Sequence, residues 1–194
     1  MADAPRAVIL AGSNGAGKTT AAKTVLADTL GVMAFVNADV IATGLSGFDP
    51  EDVAFEASRI MLDRLHALAA QLADFAFETT LAARTYAPWL RTLQMSGYRV
   101  SLFYVWLSVV ELAVERVAIR VSQGGHSIPE GTIRQRYARS LANFEKLYRP
   151  IVNDWAVYDN STNGVYRLLA EGVRGQAPTI HDAAMWALFC KGAQ

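Results

Sequence analysis

The chain has 194 residues, 52% of them hydrophobic, and its 18 lysines and arginines balance 18 aspartates and glutamates. This composition suits a single α/β domain with a substantial core and excludes a disordered chain. Zero net charge leaves no overall basic field to attract nucleic acid. The single cysteine, Cys190, excludes an internal disulfide framework and a cysteine metal cluster. Residues 1–6 predict no secretory signal and no apolar stretch is long enough to span a bilayer, so we expect a cytoplasmic protein without a membrane partner.

Strands and helices alternate along the chain, which predicts a mostly parallel sheet of about five strands with helices on both faces, a three-layer α/β sandwich. Apolar runs predict strands over 7–11, 35–39, 75–80, 99–107, 155–160 and, at the edge of the sheet, 165–171. Amphipathic patterns and breaker residues predict helices over 20–26, 51–73, 85–95, 109–121, 130–147 and 180–190. Glycines and a proline predict a loop over 41–50.

The first strand and helix enclose the most informative segment, residues 12–19, which fit the phosphate-loop (Walker A) pattern G-x-x-x-x-G-K-[ST] at every defined position. Inward-turned amides of such a loop and the helix N-terminus bind phosphate oxygens. Lys18 is expected to reach the β- and γ-phosphates of ATP, and the Thr19 hydroxyl to ligate Mg²⁺. The predicted ATP-binding residues are Gly12, Ser13, Asn14, Gly15, Ala16, Gly17, Lys18, Thr19 and Thr20.

Two acidic residues follow strands of the predicted sheet, where ligands of open α/β sheets bind. Asp39 closes the second predicted strand and Glu78 lies near the end of the third. A carboxylate at this edge can accept the proton of a substrate hydroxyl or hold Mg²⁺ through water. The alternatives are structural: Asp39 as a cap for the following segment, and Glu78 as the partner of an arginine.

Arginines flank a glycine-containing segment over about 122–136, which is typical of a mobile lid; an ordinary helix connection is the alternative. Arg116 and Arg120 precede the glycine-containing stretch on one helix face, and Arg134 and Arg136 follow it. Such cations can converge on a transferring phosphoryl group. Glu130, four residues before Arg134, offers a competing helical ion pair. Arg84 follows the third strand and could hold an anionic substrate.

Several segments together resemble the zeta-toxin family of P-loop kinases, over residues 6–162. Beside the phosphate loop, they are VNAD at 36–39, FETT at 77–80, ERVAIR at 115–120, GGHSIP at 124–129 and VYDNS at 157–161. Characterised zeta toxins use ATP to phosphorylate a sugar hydroxyl of a UDP-N-acetyl amino sugar. The resemblance implies that Lys18 and Thr19 contact ATP and Mg²⁺ and that Asp39 is the general base. It also implies that Glu78 and Thr80 hold the sugar, with Arg84 the nearest candidate for a further substrate-holding arginine.

The sequence therefore predicts a single P-loop kinase-like domain over residues 1–194 that transfers the γ-phosphoryl group of ATP to a small-molecule hydroxyl. Asp39 would bind the substrate and take its proton, while Lys18, Arg116, Arg120 and Arg134 would neutralise the developing charge. Two alternatives stay open: an NTPase or nucleotide-dependent switch that acts through a protein partner, and the toxin of a toxin–antitoxin pair whose small helical antitoxin blocks the ATP site. A nucleic-acid kinase is disfavoured because no extended basic and aromatic surface is visible.

Overall fold

The structure, a computed structural model, describes residues 4–22, 31–46, 52–125, 127–162 and 164–193. Part of the predicted first helix, part of the predicted loop over 41–50, and His126 within the predicted lid lie outside these ranges. No described helix combines the length and apolar character that a membrane crossing needs.

A central sheet organises the described part of the chain. Its seven strands are β1 Arg6–Ala11, β2 Phe35–Val36, β3 Phe75–Thr79, β4 Arg99–Trp106, β5 Asp154–Asp159, β6 Arg167–Val173 and β7 Thr179–Ile180. They lie in the order β2-β3-β1-β4-β5-β6-β7. The first five are parallel, whereas β6 and β7 add antiparallel strands beyond β5. The mostly parallel sheet is thus confirmed, but it has seven strands instead of about five: β6 corresponds to the edge strand expected over 165–171, and β7 is too short to give a periodic signal.

Helices cover both faces of this sheet. They are α1 Lys18–Ala22, α2 Ala38–Leu45, α3 Ala54–Ala70, α4 Tyr86–Met95, α5 Val110–Ser122, α6 Glu130–Asn143 and α7 Ala183–Gly192, with a π-helical turn, Phe144–Tyr148, continuing α6. Side chains of β1 alternate between two apolar clusters. Ile9 packs with residues of α3, α4 and α7, whereas Val8 and Leu10 pack with residues of α1 and α5. The three-layer sandwich is therefore confirmed.

Three local expectations differ from the structure. The second strand ends at Val36, because Asn37 caps a helix, α2, that replaces the first half of the predicted loop. The strand expected at the sheet edge is β6, which pairs with β7 on its outer side. The last helix begins at Ala183 instead of residue 180, because the Asp182 carboxylate accepts a hydrogen bond from the Met185 amide at 3.0 Å.

The parallel strands bring their carboxyl ends to one edge of the sheet. In the β1–β3 register, Leu10 lies opposite Glu78, so the phosphate loop after β1 starts beside that carboxylate. Gly12 passes so close to β4 that a Cβ there would lie 2.1 Å from the Val105 carbonyl oxygen, and its φ of 141° favours glycine. The sheet thus places the loop between β3 and β4.

We predict that Gly172→Ala destabilises the fold. A Cβ at Gly172 in β6 would lie 2.8 Å from Cζ2 of the largely buried Trp155 ring, so the indole must shift. Such overpacking costs about 1–3 kcal/mol of unfolding free energy. Urea unfolding followed by tryptophan fluorescence measures it.

Gly131→Ala is the control, since a Cβ on this α6 residue meets open space. That variant should be unchanged or more stable by less than about 1 kcal/mol. Equal unfolding midpoints for the two variants would contradict the packing explanation.

Candidate active site

The phosphate loop folds tightly between β1 and α1. Gly12, Gly15 and Gly17 have φ values of 141°, 74° and 91°, a left-handed sequence that glycine adopts without strain. The Ala16 amide donates to the Ser13 carbonyl at 3.2 Å within the turn. Glycines with such φ values allow successive amides to turn toward one anion, as phosphate binding requires.

Two residues after β5 donate hydrogen bonds to backbone carbonyls of the phosphate loop. The Asn160 side-chain amide donates to the Ala16 carbonyl at 2.8 Å, and the Tyr166 hydroxyl donates to the Gly17 carbonyl at 2.8 Å. Arg116 donates from Nη2 to the carbonyls of Asn160 (2.8 Å) and Ser161 (3.0 Å). Sequence reasoning did not single out Asn160 and Tyr166 for this role. The rule that selected Asp39, a polar residue after a parallel strand, also points to Asn160.

The Glu78 carboxylate contacts both the phosphate-loop segment and Asn37, the residue that follows β2. Its Oε2 accepts hydrogen bonds from the Thr19 hydroxyl and the Asn37 side-chain amide, both at 2.8 Å. Its Oε1 lies 3.5 Å from Lys18 Nζ, and that ammonium also donates to the Ser13 carbonyl at 2.9 Å. Among the residues that the structure describes, the charged partner of Glu78 is the phosphate-loop lysine, not the arginine that the alternative named.

Asp39 lies in the first turn of α2, facing the phosphate loop across a cleft. It lines a cavity of about 410 Å³ with Lys18 and Thr19, and a second of about 510 Å³ with Lys18 and Glu78. The cap of α2 is Asn37, whose Oδ1 accepts from the Asp39 amide at 2.8 Å. Among the described residues, no hydrogen bond or ion pair to the Asp39 carboxylate is found. The capping alternative for Asp39 is therefore wrong.

The arginines divide between the cleft and the protein surface. Arg116 and Arg120 line the 410 Å³ cavity beside the phosphate loop, as expected. Arg136 and Arg139 line the 510 Å³ cavity on the other side of Lys18.

Arg134 is absent from the lining of both cavities, so the structure does not bring it to the phosphate loop as expected. Its guanidinium donates to Glu111 at 2.9 Å and to Glu130 at 2.8 Å. These hydrogen bonds raise the pKa of Arg134, and the bond from Arg134 lowers the pKa of the Glu111 carboxyl. Residues two apart on a helix differ by about 200° around its axis, so the face of Arg136 points into the cleft and that of Arg134 does not.

The 510 Å³ cavity is the candidate acceptor site. Glu78 and Thr80 line it, as the family resemblance implies, whereas Arg84 is exposed and outside its lining. Further lining residues that the sequence did not reveal are Ser58, Met61, Ala82, Ala83, Tyr86, Thr132 and Gln135. Burial raises the pKa of Tyr86, so its hydroxyl keeps its proton at neutral pH.

The donor set near Thr19 fits Mg²⁺. The Thr19 hydroxyl and the Glu78 carboxylate lie 2.8 Å apart beside the phosphate loop, and both offer the hard oxygen ligands that Mg²⁺ prefers. Within the described ranges, three or more histidine, cysteine, aspartate or glutamate side chains nowhere gather as a metal cluster. This sparse set suits a cation that keeps waters and takes further ligands from phosphate oxygens.

Comparisons with known structures agree with this architecture. The chain is similar to the AvrRxo1-ORF1:ORF2 complex solved with ATP, at 17% identity and a TM-score of 0.80, over 99% of this chain and 65% of that one. It thus spans about two thirds of that protein's length. It is also similar to the PezAT chromosomal toxin–antitoxin system of Streptococcus pneumoniae, at 17% identity and a TM-score of 0.69, over 97% of this chain and 79% of that one.

Sequence comparisons identify the family. An uncharacterized protein of Haemophilus influenzae is 28% identical over 132 residues, which cover 68% of this chain and 92% of that protein. The family model described as zeta toxin matches residues 2–169. That match covers most of the chain and confirms the resemblance drawn from its motifs. The chain therefore belongs to the zeta toxin family.

Proposed function

We propose that the protein is an ATP-dependent phosphotransferase that moves the γ-phosphoryl group to the hydroxyl of a small molecule. By family resemblance, the acceptor is a UDP-N-acetyl amino sugar. The observation that carries the proposal is the shared cleft, in which Asp39 lines the same two cavities as the phosphate-loop Lys18. The ATP bound to the similar AvrRxo1 complex supports the choice of nucleotide.

Lys18 and the glycine-loop amides bind the β- and γ-phosphates in this mechanism. Lys18 is only 6% exposed, so its charge acts in a medium where electrostatic attraction is strong. Thr19 and Glu78 would hold Mg²⁺, which, when bound, neutralises charge on the phosphate oxygens. Arg120 reaches the same cavity from α5 and stabilises charge on the transferring group.

Asp39 performs the proton transfer at the acceptor. Its carboxylate accepts the proton of the acceptor hydroxyl while that oxygen bonds to the γ-phosphorus and the bond from the γ-phosphorus to the β–γ bridging oxygen breaks, releasing ADP. Glu78, Thr80 and Arg136 line the cavity in which the acceptor is bound. Position and charge, more than covalent participation of the protein, account for this catalysis.

The family and the PezAT likeness support a physiological role as a toxin held inactive by an antitoxin protein. Expression of the wild-type chain should then arrest bacterial growth, and an Asp39→Asn chain expressed at the same level should not. Equal growth arrest by both chains would separate toxicity from phosphoryl transfer.

Labelled ATP tests the activity directly. The protein is incubated with γ-labelled ATP and either UDP-N-acetylglucosamine or the small-molecule fraction of a bacterial extract. Label on an organic product supports the kinase, whereas label found only in inorganic phosphate supports the NTPase alternative. Label on an extract compound but not on the UDP-sugar would reject the proposed acceptor while retaining the reaction.

We predict that Asp39→Asn lowers phosphoryl transfer by about 10²–10⁴-fold, the usual contribution of a positioned base. ATP affinity, measured by calorimetry, should stay unchanged because the amides and Lys18 remain. Asp63→Asn, which changes an exposed aspartate of α3, is the control. Near-normal transfer by the Asp39 variant would remove this residue from the role of base.

We predict that Lys18→Ala weakens ATP binding by about 10–100-fold, the contribution of charged hydrogen bonds, and lowers activity with it. Lys191→Ala, an exposed lysine at the end of α7, should bind ATP normally. Thermal unfolding of both variants controls for the loss of the Lys18–Glu78 contact. An unchanged ATP titration for Lys18→Ala would reject the phosphate-loop assignment.

We predict that Arg136→Ala and Arg134→Ala differ sharply although the two residues share one helix. Removing Arg136 takes a cation from the acceptor cavity and should lower phosphoryl transfer by about 10²-fold. Removing Arg134 breaks exposed ion pairs with Glu111 and Glu130 and should leave transfer near the wild-type rate. The reverse order of the two rates would restore Arg134 as the catalytic arginine.

A further inference from the structure

The loop after β3 is held by the end of α6 and the π-helical turn that follows it. Asn143 Nδ2 donates to the carbonyls of Leu81 at 2.9 Å and Ala82 at 3.1 Å. The Tyr148 hydroxyl donates to the carbonyl of Ala83 at 2.6 Å. Three consecutive carbonyls of the loop thus accept hydrogen bonds from one helical segment.

The loop has a conformation that needs such support. Leu81 has a φ of 61°, a left-handed geometry that branched and bulky residues rarely adopt, and it is only 1% exposed. Its amide donates to the Thr79 hydroxyl at 3.0 Å. A strained backbone of this kind persists only where the surroundings fix it, and it is common at ligand-binding sites.

This same loop forms one wall of the acceptor cavity. Ala82 and Ala83 line the cavity, and Arg136 and Arg139 line it from α6. The helix that carries both arginines ends at Asn143, so one helical segment both supplies a wall and holds the opposite loop. The width of the cavity therefore depends on the hydrogen bonds of Asn143 and Tyr148.

We propose that Asn143 and Tyr148 are positioning residues that fix the Leu81–Ala83 loop and so select the acceptor. The inference rests on the proposed function of this cavity, and neither residue touches the reacting atoms. Tyr148 is fully buried, and this burial raises its pKa to about 12. Its hydroxyl consequently remains a neutral donor to the loop throughout the physiological pH range.

Tyr148→Phe tests the proposal, with Tyr104→Phe as a matched control. Tyr104 of β4 is also buried, and its hydroxyl lies 2.7 Å from Oγ of Ser140 in α6, the helix that carries Asn143. The Tyr104 hydroxyl makes no hydrogen bond to the described loop. Both variants keep the ring and lose one buried hydroxyl, so both should lose similar stability. Only the proposed positioning role predicts different loop exchange and acceptor KM for the two variants.

Two readouts are measured on the full chain. Hydrogen–deuterium exchange of residues 80–86 should increase in Tyr148→Phe and stay unchanged in Tyr104→Phe. The KM for the acceptor, UDP-N-acetylglucosamine or the extract compound that takes label, should rise about three- to tenfold in Tyr148→Phe, the contribution of one hydrogen bond. ATP affinity should not change. Asn143→Ala, which removes two of the three bonds, should give the larger effects.

Equal exchange in the two tyrosine variants would overturn the proposal, as would a looser loop with an unchanged acceptor KM. A rise in KM for both variants would indicate a general structural effect and would overturn it as well. If the wild-type protein labels no organic compound, the proposed function fails, and the exchange comparison alone decides whether Asn143 and Tyr148 hold the loop.

Discussion

The buried contact between Lys18 and Glu78 constrains the rest of the site. Lys18 is 6% exposed, and a buried ammonium needs a counter-charge and hydrogen bonds to offset the loss of water. Glu78 supplies the charge from 3.5 Å, and the Ser13 carbonyl accepts one hydrogen bond. This arrangement is possible only because β1 and β3 are neighbours in parallel register, with Leu10 opposite Glu78. The strand order thus places the acceptor side of the cleft beside the phosphate loop.

Asn37 connects the Lys18–Glu78 contact to Asp39, the proposed base. Its Nδ2 donates to Glu78, and its Oδ1 accepts the amide of Asp39 at the start of α2. A single side-chain amide therefore uses both ends, one to join the Glu78 network and one to begin a helix. The position of Asp39 follows from this cap, because the first turn of α2 cannot rotate without breaking one of the two bonds. The family's spacing of asparagine and aspartate, Asn-x-Asp, has a direct geometric reason in this chain.

Local patterns predicted the features that depend on neighbouring residues. The phosphate loop, the parallel strands and the position of Glu78 near the end of β3 followed from short motifs and apolar runs, whereas Asp39 lies in the first turn of α2 instead of at the end of β2. The finding that Arg136, and not Arg134, lines the cleft did not follow from such patterns, because it depends on how α6 is oriented and on Glu111 from α5. The contacts of the Asn143 and Asn160 side-chain amides were missed for the same reason: the carbonyls that accept from them lie 61 or more residues away in the chain. A motif reflects the geometry of neighbouring residues, whereas these contacts depend on how elements that are distant in the chain pack together.

The anchoring of α6 limits how the predicted lid over 122–136 can move. Ile133 is buried in the core, and the Tyr137 hydroxyl donates to the Leu107 carbonyl at 2.6 Å. The end of the helix also holds the Leu81–Ala83 loop, through the Asn143 side chain. Moving α6 as a unit would break all these contacts at once, so any closing motion of the predicted lid would have to leave α6 in place from Ile133 onward. Arg136 is therefore part of a wall of the cleft that the contacts of α6 hold in place.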